Sequence, residues 1–150
     1  MAKIKFEING IEQLKQRLME KKAMLEIDLE MRLLHLAEDA LKHAKEHKGY
    51  KDRTGNLKNS ISFALYKDGE CVNIRLGEGD ENAAPAFIES KLKEYAAEVV
   101  KPKGYSLVIV APMEYAKHVE NKGYNVLYLT RYFVIDGMKD ALKEALDALE

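Results

Sequence analysis

The chain is poor in the residues that announce most binding chemistries. It has a single cysteine, Cys71, in 150 residues, so no internal disulfide can form. That suits a reducing cytoplasm, or a particle assembled in one. Positive charge is not in excess: 24 Lys and Arg stand against 25 Asp and Glu, for a formal net charge of −1. This argues against nucleic-acid binding through a general basic surface. No apolar run is long enough to span a bilayer, and the N-terminus lacks the h-region of a signal peptide. The aromatic residues, mostly tyrosines, are scattered rather than interleaved with Arg and Lys, so a base-stacking platform is not expected.

What remains is an ordinary globular composition, 47% apolar and 33% charged, and the length suits one domain with a proper core. Ile4, Phe6 and Ile8 alternate with polar residues, which predicts a strand turned by Asn9-Gly10. From Ile11 to His47 the period becomes helical, through Leu14, Leu18, Leu25, Leu29, Leu33, Leu36, Ala40 and Ala44. Lys21-Lys22 interrupts that stripe, so the segment reads either as a short helix followed by a long one or as one helix of about 55 Å. A helix of that length outruns a domain of this size and calls for a partner. Asp68-Gly69 joins two alternating runs, Ile61 to Tyr66 and Val72 to Leu76, into a hairpin. Leu107 to Ala111 is continuously apolar and predicts a strand covered on both faces.

The segment 78–104 reads as a loop-plus-helix insertion. Its helix is expected over Pro85 to Val100, with Ile88, Leu92, Tyr95 and Val99 at helical spacing, opened by Pro85 and stopped by Pro102 and Gly104. A last helix is expected from Arg131 to Leu149, with Ile135, Met138, Leu142, Ala145, Leu146 and Leu149 on one side. The fold class is therefore α+β: a small, mainly antiparallel sheet with a long N-terminal helix and a C-terminal helix packed on it, in a single domain over 1–150.

Two short stretches are the most distinctive. Arg53-Thr54-Gly55-Asn56-Leu57-Lys58-Asn59-Ser60-Ile61 reads as a turn, a helical turn capped by Thr54, and the entry to a strand, with Leu57 and Ile61 four apart on one face. Pro112-Met113-Glu114-Tyr115-Ala116-Lys117-His118-Val119-Glu120 reads as a strand stop and a short helix burying Tyr115, Ala116 and Val119. Together they resemble the tail-component family of tailed bacteriophages, the tail-completion or head–tail joining proteins. The opening strand, the Gly10 turn and Ile11 to Leu14 follow that family's order. The chain departs from it at Tyr50-Lys51-Asp52-Arg53, at Asn121-Lys122-Gly123-Tyr124 and at Thr130-Arg131-Tyr132-Phe133-Val134.

The resemblance implies a virion protein at the head–tail interface, made in the bacterial host cytoplasm and acting as a ring, sixfold by expectation. Its partners would be further copies of itself and the neighbouring connector and tail proteins. DNA would pass through the channel without sequence-specific recognition, and there would be no membrane, metal or cofactor. The helix from Pro85 to Val100 and the long N-terminal helix are the expected contact elements. Arg53 and Glu120, flanking the two motifs, are expected to form an ion pair.

Enzymatic readings are weaker. His43-Ala44-Lys45-Glu46-His47 has inverted-zincin spacing, two histidine ligands one turn apart and a glutamate base, with Asp39 a turn earlier. The same residues fall in the last turn of a helix, where His and Lys meet the negative end of the dipole, and that reading is preferred. A zinc-dependent hydrolase at His43, Glu46 and His47 is thus the alternative, with a non-phage adaptor module beside it. Glu114 and Glu120 are six apart and read as an acidic solvated face rather than a glycosidase pair. His35 reads as a boundary or core histidine, His118 as a surface or interface residue, and Cys71 as small and half-buried. Glu78-Gly79-Asp80-Glu81-Asn82 lacks EF-hand spacing.

Overall fold

The computed structural model describes residues 1–49, 56–78, 84–113, 116–123 and 125–150. Arg53, Thr54, Gly55, Glu114 and Tyr115 lie outside the described residues, as does the side chain of His118. The acidic loop at 79–83 lies outside them too.

Residues 1–10 lead into α1 (Ile11–Glu46), one unbroken helix of 36 residues, about 54 Å long. Lys21-Lys22 does not divide it, because lysine is a good helix former and only the apolar stripe lapses there. Gly10, at φ 86°, turns the chain into the helix, a conformation glycine adopts without strain.

Three strands form the sheet: β1 (Ser62–Lys67), β2 (Glu70–Arg75) and β3 (Tyr105–Val110), in the order β2-β1-β3 and antiparallel throughout. Asp68 and Gly69 turn the hairpin with φ 52° and 87°, the positive values that an Asp-Gly turn supplies. A register shift between Leu65 and Tyr66 bends the β1–β2 pair.

The sheet is covered on both faces. On one, Phe63 packs with Ala37, Leu41 and Ala44 of α1, and Leu65 with Leu33 and Leu36. On the other, Ala64, Tyr66 and Val108 pack against Leu92 and Ala96 of α3 (Pro85–Val99). Period two in the strands thus feeds two separate helices, which is why β1 is buried from Ser62 to Tyr66. Two short helices, α2 (Asn56–Ser60) and α4 (Ala116–Asn121), lie before β1 and after β3.

The last helix, α5 (Tyr128–Asp147), runs antiparallel to α1 and packs mainly on it. Its buried face carries small residues, Thr130, Ala141 and Ala145. At Gly137 the helices approach so closely that a Cβ would fall 2.3 Å from Leu36 Cδ1. Arg32 Nη1 donates to Glu144 Oε2 at 2.6 Å farther along the seam.

Several expectations are corrected. The strand over Ile4 to Ile8 is not formed; Ile4, Phe6 and Ile8 are 81–88% exposed. Alternation suits them to pairing, but a strand needs a neighbour, and this segment sits at the far end of α1. The apolar stripe expected on α5 is rotated: Ile135, Leu142 and Leu146 face outward, because small residues let α5 approach α1 closely. Cys71 and His35 are both exposed. Among the described residues no helix is long and apolar enough to cross a membrane.

Candidate functional site

The described parts of the two motifs meet. Leu57 of α2, Ala116 of α4 and Val126 of the α4–α5 loop form one buried cluster, with Met113, Val119 and Leu127 against it. Ile61 turns the other way, into the α1 cluster. Pro112 stands two residues past β3; lacking an N–H, it cannot extend the ladder.

The polar groups at this joint are paired. Ser60 Oγ donates to Leu57 O at 2.9 Å, and Ser62 Oγ to Ser60 O at 2.8 Å. Gly77 N–H donates to Ser62 Oγ at 2.7 Å, and Glu78 N–H to Asn59 O at 2.8 Å. The chain leaving β2 therefore lies against the α2–β1 junction. A Cβ on Gly77 would stand 2.1 Å from Asn59 O, so only glycine fits.

Glu120 organises the start of α5. Its carboxylate accepts the backbone N–H groups of Val126 and Leu127 at Oε2 (2.8 and 2.9 Å) and of Tyr128 at Oε1 (2.9 Å). Leu127, the N-cap residue, makes no side-chain cap bond of its own. A distant carboxylate thus serves the free donors and faces the positive end of the helix dipole. This corrects the reading of Glu120 as part of a solvated acidic face. Its expected pairing with Arg53 lies outside the described residues.

Asn125 completes the joint. Its Oδ1 accepts from Leu129 N–H at 2.9 Å, its Nδ2 donates to His47 O at 2.7 Å, and its carbonyl accepts from Gly49 N–H at 3.1 Å. The end of α1 and the start of α5 are clasped by one residue. Asn125 and Gly77 were not singled out by motif reading. The signals were present: a leucine at an N-cap needs donors served from elsewhere, and a glycine beside a strand marks a close approach.

The His43 and His47 rings stack at 4.1 Å, and Phe133 stacks on His43 at 4.7 Å. His43 Nδ1 bonds Thr130 Oγ1 at 3.0 Å, and His47 Nδ1 bonds His43 O at 3.0 Å. Burial first, and the neighbouring His47 second, push the His43 pKa below its ordinary 6.5. Glu46 is exposed, with Lys42 at 3.9 Å. Among the described residues no group of three or more His, Cys, Asp or Glu is placed to hold a metal ion.

The expected contact helix divides. Ile88 and Leu92 are buried within the single chain, Leu92 against the sheet, which removes both from any interface. Tyr95 and Val99, near the end of α3, remain exposed. Compared with protein-family models, curated proteins and solved structures, the chain matches none.

Proposed function

We propose that this chain is a structural subunit of a tailed bacteriophage or prophage particle, joining or completing the tail at the head–tail interface as a ring. The observation that carries this reading is the convergence of the two resembling motifs. Leu57 from the first, and Ala116 and Val119 from the second, meet in one apolar cluster, with Ser60 bonded to Leu57 O and Glu120 to the N–H of Leu127 beside it. A joint of this kind holds helices at a fixed angle, as a scaffold that transmits contacts requires.

A second feature supports the same reading. The upstream half of α1 extends past the body with Ile11, Leu14 and Leu18 exposed, a surface that suits neighbouring subunits. From Arg131 onward the chain carries three basic and five acidic residues, so α5 could line a channel without gripping DNA phosphate. The partners would be further copies, the connector and the tail, within the virion.

Native mass spectrometry and electron microscopy of tag-free protein test this reading. A metal-free closed ring supports it. Stoichiometric zinc, with hydrolysis lost on His43→Ala, would put the hydrolase in its place. A specific non-phage partner without self-assembly would favour the adaptor.

A further inference from the structure

Two parts of the molecule have no packing partner among the described residues. The first is a projecting arm: every residue from 1 to 24 is exposed. Lys5 and Glu7 pair with each other, and Ile4, Phe6 and Ile8 alternate with them in sequence, the period that a strand would sort onto two faces. Beyond Gly10, the residues Ile11, Leu14 and Leu18 prolong the stripe that is buried from Leu33 onward.

The second is the outer edge of β3. The two edges of the sheet differ. β2 is blunted by exposed Glu70 and Arg75, and its pairing with β1 is bent by the register shift. β3, Tyr-Ser-Leu-Val-Ile-Val, has no charge, no proline and an unbroken register with β1. Among the described residues no backbone hydrogen bond reaches its outer side. An edge left in that condition is a template for another strand.

The arm cannot fill that edge in its own chain. Tyr105 Oη donates to Glu26 O at 3.2 Å, which fixes the start of β3 at the level of Glu26. Ile11 lies about 22 Å farther along the helix, beyond the end of the sheet. Folded straight back from Ile11, the chain spans at most about 29 Å to Lys3, so only its tip would meet Tyr105. The run from Lys3 to Ile8 cannot lie along β3.

Charge points to the same occupant. Residues 1–24 hold six Lys and Arg against three Glu, a net +3. The remaining 126 residues hold eighteen against twenty-two, a net −4. Arm and body are held apart by the helix within one copy, so their attraction acts between copies.

We propose that residues 3–8 of one copy add as a fourth strand to the outer edge of β3 in a second copy. Main-chain bonds supply the grip, and the α1 stripe upstream of Leu25 lies on the same neighbour. Donor and acceptor are different surfaces, so the contact is head-to-tail. It rests on the ring reading above only for closure of the circle.

The test is native mass spectrometry with hydrogen exchange on the full chain and on an Ile4→Asp, Phe6→Asp, Ile8→Asp variant. These side chains are exposed, so the variant should fold, and unchanged exchange in β1 checks that it does. The expected result is an oligomer whose outward β3 amides are protected, with both properties lost in the variant. An oligomer that persists in the variant overturns the arm and leaves the ring standing. A wild-type monomer whose outward β3 amides exchange freely also overturns the arm; the ring is then judged separately, by binding to a connector.

Discussion

His43 Nδ1 lies 3.0 Å from Thr130 Oγ1, an imidazole–hydroxyl bond that ties the last turns of α1 to the first turn of α5. Burial lowers the His43 pKa below 6.5, so the unfolded chain takes up that proton at a higher pH than the folded one. The stability supported by neutral His43 is complete above about pH 6.5 and is lost as the pH falls towards the depressed folded value. His43→Gln keeps a polar group without titrating there. Urea midpoints at neutral and mildly acidic pH should fall less with acid in the variant than in the wild type.

Removing the Glu120 carboxylate leaves three backbone donors of the α5 start without their acceptor. Glu120→Ala should cost about 1–2 kcal/mol, in the upper range for a helix cap. Glu120→Gln retains one carbonyl oxygen and should cost less. Denaturant midpoints order the two, and equal losses would show that the charge and second oxygen contribute nothing.

Gly77→Ala places a methyl group on the Asn59 backbone carbonyl, and neither the Cβ nor the carbonyl has a rotamer to relieve it. The α2–β1 junction must move, at about 1–3 kcal/mol or more. A thermal melt unchanged from wild type would contradict that close approach.

Leu57 and Val126 join the two motifs through one buried cluster. Leu57→Ala should cost about 2–5 kcal/mol, because the cavity opens in a well-packed site. Combined with Val126→Ala the losses should not add, with a coupling of about 0.5–3 kcal/mol in a double-mutant cycle. Strict additivity would mean that the two motifs are energetically separate.

Local chemistry made the hairpin and the helices legible. Asp68-Gly69 specifies its turn from two residues, and Pro85 and Gly10 mark helix starts without outside help. The misreadings arose where a distant partner decides. Ile4, Phe6 and Ile8 alternate as a strand does, yet alternation does not supply a neighbour. Leu142 and Leu146 looked like the core face of α5, but Gly137, Ala141 and Ala145 let the backbone closer to α1 than bulky side chains allow. The cap from Glu120 was hidden because it crosses a loop, and loop geometry is set by the packing of Val126 and Leu127 rather than by spacing.

The clasp at Asn125 has a consequence for motion. Polar ties between α1 and α5 gather at one end of the seam, at His43, His47 and Gly49, while Arg32 with Glu144 is the ion pair at the other. The seam is thus tied at both ends, and residues 11–24 of α1 project exposed beyond it. Protection from hydrogen exchange should decline along α1 from His43 through Leu33 to Ile11, a slope within a single helix. Opening should therefore begin at that exposed end and reach the joint last.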